Sequence, residues 1–171
     1  MTEPVRIALV GAGAIVHAAH KPAWEELRGI VRPVAVSDPL GPSAGKLAAE
    51  LGVPAFSTPG EMLDHLGSRV DAVLITSPHD LHAPQAEEAL RRGLPALVEK
   101  PLACSMEEMR RLRAAEKTGG AFAQAGQQQR FGTGENLIKQ WLHGPEFGAA
   151  GFDVAGGVDF EESYTFTAAD R

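Results

Sequence analysis

Chemistry in this sequence begins at a glycine-rich turn. Gly11 and Gly13 follow directly on an apolar run that starts at Val5. Glycine has no Cβ, so the backbone can turn tightly there and approach a ligand closely. A helix-compatible stretch comes next, and the free N–H groups at its start, those of Ala14 and Ile15, would face an anion held on the turn. The pattern predicts a phosphate or dinucleotide site, with a plain tight turn as the alternative.

An aspartate closes the next apolar run. Asp38 ends the strand-like segment that begins at Pro33, and it lies 25 residues after Gly13, close to the roughly 20 residues of the dinucleotide fingerprint. A carboxylate at this place accepts hydrogen bonds from two ribose hydroxyls at once. No arginine stands beside it to hold a 2′-phosphate, so the segment favours NAD over NADP. The alternative is a turn or cap aspartate in front of Pro39.

Two more polar groups follow later apolar runs. The loop Ser77–His82 comes after the run that ends at Thr76, and Glu99–Pro101 comes after the run Leu94–Val98. A lysine at the end of a buried strand, here Lys100, delivers its ammonium to a cleft. There it can donate to a substrate hydroxyl, or lose a proton when it is partly desolvated. The alternative is a surface lysine paired with the preceding glutamate.

Two pairs of histidines have a spacing that could suit a metal ion. His79 and His82 lie three residues apart, but a zinc site needs three or four ligands, and no cysteine or further histidine stands nearby. We expect no metal. His17 and His20 are also three apart, and we expect them to be solvated or packed residues of the first helix.

The elements that position these groups alternate along the chain. Continuously apolar runs, typical of parallel strands buried on both faces, alternate with helix-compatible segments over the first 145 residues or so. Parallel neighbours need crossovers, and helices then cover both faces of the sheet. We therefore predict an α/β fold with a doubly wound parallel sheet, the Rossmann dinucleotide-binding fold. Ligands bind at the carboxyl ends of the strands in such a sheet. Four segments are then expected at those ends: the glycine turn, Asp38, the loop Ser77–His82 and Glu99–Pro101.

Local signals predict several helices. Thr58 and Ser105 are expected N-caps, each with a glutamate three residues later. A helix is expected over Leu81–Arg92, with Leu81 on its apolar face, and another over Asn136–His143.

The pattern changes near residue 148. Apolar residues alternate with small or polar ones from Phe152 to Phe160, as in an antiparallel strand with one wet face. We predict a dinucleotide-binding domain over residues 1–145 and the start of an incomplete substrate or oligomerisation domain over 146–171. An exposed strand of this kind favours a homo-oligomer formed through this region.

Composition excludes several classes of function. The 171 residues carry a formal net charge of −6 without a basic block, which argues against a nucleic-acid partner. No stretch approaches the ~20 apolar residues of a membrane-spanning helix, and no signal-peptide pattern precedes the first strand. We expect a cytoplasmic protein without a membrane partner. Cys104 is the only cysteine, so no internal disulfide forms.

Taken together, these motifs resemble the glucose-fructose oxidoreductase, inositol dehydrogenase and rhizopine-catabolism (Gfo/Idh/MocA) family of NAD(P)-dependent oxidoreductases. The match runs over most of residues 5–150, in order and at the family's spacings. Glu-Lys-Pro after the fifth strand is its most specific element. The residues that carry it are Gly11–Gly13, Ser37–Asp38, Thr76–His82, Ala89–Leu90 with Gly93, Glu99–Leu102 and Gln129–Phe131.

The resemblance implies roles for particular residues. Lys100 would be the active-site lysine that touches the reacting hydroxyl, and Glu99, Lys100 and Pro101 would border the nicotinamide. Pro78 and His82 would line the cofactor cleft together with Ser77. The implied reaction moves a hydride between NAD and a hydroxyl-bearing carbon of a sugar, cyclitol or related polyol.

Two departures from the family's pattern bear on this reading. Val16 replaces a small residue of the fingerprint, and we expect it to loosen the packing of helix on strand. Family members also continue into a second α/β domain that carries the substrate pocket, whereas only its first strand is expected here. The alternative function is therefore a non-catalytic NAD-binding module or a truncated paralogue.

Overall fold

The secondary structure is taken from a computed structural model that describes residues 3–143, with the backbone alone for residues 142 and 143. The chain divides into two compact units, Met1–Ala125 and Gly126–Arg171. The strands are β1 (Val5–Val10), β2 (Val31–Ser37), β3 (Ala55–Phe56), β4 (Ala72–Ile75), β5 (Ala96–Val98) and β6 (Ala123–Ala125). The helices are α1 (Lys21–Glu26), α2 (Gly41–Leu51), α3 (Pro59–Leu66), α4 (His79–Arg91), α5 (Met106–Gly119) and α6 (Thr133–His143).

The six strands form one parallel sheet in the order β3-β2-β1-β4-β5-β6. The chain moves outward from β1 in one direction and then returns to continue on its other side, so β1 and β4 flank the point where the strand order reverses. Ligands of open α/β sheets bind beyond the carboxyl ends of the strands at this point. The predicted doubly wound Rossmann fold is confirmed.

Helices bury both faces of the sheet, and β1 contributes to each. Ala8 and Val10 point into a core formed with α3, α4 and α5, whereas Leu9 points into a second core that includes Trp24 and Leu47. Successive side chains of a strand point to opposite faces, so an uninterrupted apolar run can serve both cores.

The predicted N-caps are present. The hydroxyl of Thr58 accepts a hydrogen bond from the amide of Glu61 at the start of α3, at 3.3 Å. The hydroxyl of Ser105 accepts from the amide of Glu108 at the start of α5, at 3.2 Å. In both helices a side-chain oxygen satisfies one of the backbone donors that the first turn leaves without an intrahelical partner.

Helix α4 differs from the sequence expectation. It begins at His79, directly after the extended Pro78, rather than at Leu81. Leu81 is exposed, so its expected place on the apolar face was wrong, whereas His82 is fully buried. The small side chains of Ala83, Ala86 and Ala89 let this helix lie close to the sheet.

The first helix contains a π-helical turn. Residues Val16–His20 form this turn between the glycine loop and α1, and the amide of Lys21 donates to the carbonyl of Val16. Pro22 follows at once; it has no amide hydrogen, and its ring crowds the carbonyl four residues earlier in a regular helix. The wider turn accommodates it. Val16 is completely buried in the second core, and the expected looser packing of helix on strand stays a prediction.

The described part of the second unit is helical. A short 3₁₀ turn at Gln128–Phe131 precedes α6, which begins three residues before the expected Asn136. The predicted strand at Phe152–Phe160 and the predicted boundary at residues 145–146 lie outside the described residues. Over the described range, no helix is long and apolar enough to span a membrane.

Candidate functional site

The glycine turn is wedged between the ends of three strands. Gly11 has a φ of +100°, and a Cβ there would lie 2.8 Å from the hydroxyl oxygen of Thr76 and 2.9 Å from the amide nitrogen of Ser77. Its amide donates to the carbonyl of Ser37 at 2.8 Å. The Thr76 hydroxyl donates to the carbonyl oxygens of Val10 and Gly11, both at 3.2 Å. The conformation and the packing each exclude a side chain at Gly11.

Gly13 is in a different situation. A Cβ at this position would meet no described atom within 4 Å, and its φ is not positive. Gly13, Ala14 and Ile15 are all exposed, and the first amides of a helix have no intrahelical acceptors. The backbone therefore presents exposed amide N–H groups with a positive partial charge at the start of the helix, an arrangement that favours an anion.

The Asp38 carboxylate is bound to this turn. Its Oδ2 accepts from the amide of Ala12 at 2.9 Å, and its Oδ1 accepts from the amide of Leu40 at 2.8 Å. The residue is half-buried. Each carboxylate oxygen has two lone-pair directions, so both oxygens keep one for a further donor. The end of β2 thus presents an oriented, partly solvated carboxylate beside the glycine turn.

A buried histidine connects the loops that follow β4 and β5. The imidazole of His82 is completely buried. Its Nε2 lies 2.7 Å from the carbonyl oxygen of Ser77, and its Nδ1 lies 2.7 Å from the carbonyl oxygen of Pro101. A neutral imidazole has one N–H donor, whereas the imidazolium has two. The ring holds two predicted site segments together, while Pro78 is exposed beside them.

Glu99 and Lys100 follow β5, at the same edge of the sheet. The amide of Glu99 donates to the carbonyl of Ile75 at 2.8 Å, which extends the pairing of β4 and β5. The Lys100–Pro101 peptide bond is cis. Lys100 is exposed, and among the described residues its ammonium has no hydrogen bond or ion pair. The ion pair with Glu99, considered above as the alternative, is not formed.

Glu99 is paired with a histidine instead. Its Oε1 lies 3.0 Å from Nε2 of His20, and its Oε2 accepts from the amide of Lys100 at 3.2 Å. No sequence pattern links His20 with Glu99, because the two are 79 residues apart. The one local signal was Pro22, two residues after His20, because a proline can distort the helix and redirect a nearby side chain.

The predicted site residues form one continuous line along the strand ends. Asp38 contacts the glycine turn, the turn packs on Thr76 and Ser77, and His82 joins Ser77 to Pro101. Pro101 follows Lys100 directly in the chain, so this line of contacts ends beside the lysine. In residues 3–143, no three histidine, cysteine, aspartate or glutamate side chains cluster as a metal site.

Comparison with known proteins agrees with this geometry. The sequence profile of a family described as "Oxidoreductase family, NAD-binding Rossmann fold" matches residues 5–127. Rhizopine catabolism protein MocA of Rhizobium meliloti is 33% identical over 126 residues, which cover 74% of this chain and 38% of that protein. The scyllo-inositol 2-dehydrogenase (NAD(+)) of Bacillus subtilis strain 168 is 32% identical over 149 residues, which cover 86% of this chain and 43% of that enzyme.

A solved structure has the same architecture. The WlbA dehydrogenase from Bordetella pertussis, crystallised with NADH and UDP-GlcNAcA, superposes with a TM-score of 0.76 at 26% identity, covering 82% of this chain and 42% of that one. The chain therefore spans about two fifths of the length of the relatives that it matches.

Proposed function

The chain belongs to the Gfo/Idh/MocA family of oxidoreductases, and from this premise we propose that it is the NAD-binding domain of a dehydrogenase. The enzyme transfers a hydride between nicotinamide and a hydroxyl-bearing carbon. The substrate class is a sugar, cyclitol or related polyol, because matching relatives are named for inositol. The activity belongs to the whole protein.

The observation that carries this proposal is the unbroken line of contacts from Asp38 to the Glu99–Pro101 segment. A dinucleotide has a ribose end, a pyrophosphate and a reactive ring, in that order. The carboxylate, the bare glycine turn and the exposed lysine follow the same order along the carboxyl ends of β2, β1 and β5. The amide of Ala12, which lies between the two glycines, donates to Asp38, so the carboxylate and the turn are hydrogen-bonded neighbours.

The proposed division of labour follows from the chemistry of each group. The exposed amides at Gly13, Ala14 and Ile15 bind the pyrophosphate. Asp38 binds the hydroxyls of the adenosine ribose, and bound NAD supplies the hydride acceptor at the nicotinamide ring. Lys100 polarises or deprotonates the substrate hydroxyl as the hydride leaves.

The remaining residues shape the cleft around the nicotinamide. Ser77 and Pro78 line the cofactor cleft, and Glu99 and Pro101 border the ring. His82 supports this cleft without facing the ring, because both of its nitrogens face the backbone carbonyls of Ser77 and Pro101.

Asp38 also accounts for the proposed preference for NAD over NADP. Both of its oxygens are oriented by backbone amides, so the negative charge is fixed where the ribose hydroxyls bind. The 2′-phosphate of NADP would place a second anion beside it, and like charges at such a distance repel. Removing the charge should therefore weaken NAD and relax the discrimination against NADP.

The test is a titration of the Asp38→Asn variant with NAD and NADP by calorimetry. Loss of a charged acceptor is worth about 1.5–3 kcal/mol, so we expect the Kd for NAD to rise about tenfold or more and the ratio of the two Kd values to approach one. Asp64→Asn is the matched control, because it removes the same charge from the exposed face of α3. An unchanged preference in Asp38→Asn would contradict the ribose assignment.

The catalytic part of the proposal is tested in the full-length protein. Lys100→Ala should keep the affinity for NAD while turnover on a polyol panel falls by a factor of about 10² to 10⁴, the usual contribution of an acid or base. Lys117→Ala, at an exposed lysine of α5, is the control. NAD binding without turnover on any polyol in the wild type would favour the non-catalytic module instead.

A further inference from the structure

His20 and Glu99 form a polar pair between the first helix and the end of β5. Their side chains are largely shielded from solvent, with exposed fractions of 19% and 12%. A carboxylate offers only acceptors, so Nε2 of His20 is the donor across the 3.0 Å separation. In this partly buried position the hydrogen bond is screened less than a surface ion pair.

The position of the His20 ring is itself fixed. His20 is the last residue of the π-helical turn Val16–His20, so the extra residue in that turn changes the direction in which its side chain leaves the helix axis. The ring stacks on Trp24, with 6.2 Å between ring centroids, and Trp24 is buried in the core. The donor is therefore held in place before any ligand binds.

Glu99 in turn holds the backbone of Lys100. Its Oε1 is held by His20, which leaves Oε2 directed at the backbone amide of Lys100. On the far side of the lysine, His82 holds the carbonyl of Pro101. The short segment that bears Lys100 is thus held on both sides by imidazoles.

We propose that His20 is a positioning residue for the nicotinamide end of the site, holding Glu99 and, through Glu99, the backbone of Lys100. This inference rests on the proposed function, in which Glu99–Pro101 borders the nicotinamide. In this proposal the π-helical turn directs the His20 donor from the phosphate-binding helix towards the segment that carries the lysine. The competing explanation is that the pair only fastens the helix to the sheet.

Hydrogen exchange of single amides distinguishes the two explanations. In His20→Leu, Glu99 loses its anchor, so we expect the amide of Lys100 to exchange at least about tenfold faster by NMR. The amide of Glu99 donates to Ile75 within the sheet and should be unaffected. His20→Gln keeps an N–H donor and should restore slow exchange at Lys100. His17→Leu, at an exposed position in the same turn, is the matched control.

Ligand binding supplies the functional readout. NAD and ADP-ribose differ only in the nicotinamide, so His20→Leu should raise the Kd for NAD at least about threefold, a fraction of what a hydrogen bond to a charged group is worth, and leave that for ADP-ribose unchanged. His20→Gln should recover the wild-type NAD affinity. A general loss of structure would weaken both ligands alike.

Each outcome has a defined meaning. If the wild type binds neither ligand, the proposed function is wrong, and the inference fails with it. If the wild type binds both and His20→Leu matches it in exchange and affinity, only the role of His20 is wrong. If His20→Leu does not fold, His20→Phe replaces it, because a phenyl ring can keep the stacking on Trp24 while the donor to Glu99 is lost, and it should give the same selective loss of NAD. Equal losses of NAD and ADP-ribose affinity in that variant would overturn the proposal.

Discussion

At the scale of single residues, the two glycines of the turn have different causes. Gly11 is required by the protein itself, because its backbone lies at positive φ and its Cβ position is filled by Thr76 and Ser77. Nothing within the described fold requires a glycine at position 13, where a side chain would enter open space. A small residue at that place makes physical sense when another molecule must approach the backbone.

This difference gives a paired prediction. Gly13→Ala should unfold at nearly the wild-type temperature but bind NAD at least about tenfold more weakly, because a methyl group occupies the pyrophosphate seat. Gly11→Ala should be destabilised by about 2 kcal/mol or more, from backbone strain and overlap together. Thermal unfolding and NAD titration measure the two effects. Full NAD affinity in Gly13→Ala would contradict the proposed seat.

At the scale of elements, α4 and α5 are in direct contact near their C-terminal ends. Gly119, the last residue of α5, lies so close to α4 that a Cβ there would overlap the carbonyl oxygen of Leu90. That carbonyl also accepts from the amide of Gly93 at 2.9 Å, so it cannot easily move. The close approach sets how α5 packs beside the helix that carries His82.

Two glycine-to-alanine substitutions should consequently change the free energy of unfolding in opposite directions. Gly119→Ala should lower the free energy of unfolding by about 2 kcal/mol or more, since the obstacle is backbone rather than a flexible side chain. Gly45→Ala lies within α2 in open space and should raise it by about 0.5–1 kcal/mol through helix propensity. Urea denaturation measures both. A neutral Gly119→Ala would mean that the two helices separate at little cost.

At the scale of the whole molecule, one ion pair joins the two central strands of the sheet at their amino ends. The carboxylate of Asp71, just before β4, accepts from the amide and the guanidinium of Arg6 in β1, with distances of 2.6–2.9 Å. These hydrogen bonds hold the pKa of Asp71 at about 2, below its ordinary 3.8. Because the pair joins β1 to β4, its loss affects the unfolding of the whole sheet.

The pair predicts a dependence of stability on acid. A lowered pKa in the folded state stabilises the protein above the pKa of the unfolded chain, and this contribution is lost as the pH falls towards 2. Asp71→Asn should therefore be less stable than wild type by at most about 1 kcal/mol at pH 7, because both side chains are partly exposed. The difference should shrink below about pH 4 and also in 1 M salt. An equal difference at pH 7 and pH 3 would contradict this assignment.

The type of sheet and two of the helix starts could be predicted from local sequence patterns. Continuous apolar runs separated by helical segments allow only a parallel sheet with crossovers, because parallel neighbours cannot be joined by tight turns. The N-caps at Thr58 and Ser105 also follow locally, because capping depends on residues three apart. Self-association through Phe152–Phe160 stays a prediction, since that segment lies outside the described residues.

The amino-acid sequence by itself determined the fold class, the glycine turn and the polar groups at the strand ends. Tertiary structure alone decided which of these groups touch. Asp38 orients the glycine turn, His82 fastens one loop to another, and Glu99 pairs with His20 rather than with Lys100. Such contacts join residues far apart in the chain, and they depend on sub-ångström packing and on a π-helical turn, neither of which hydrophobic periodicity records.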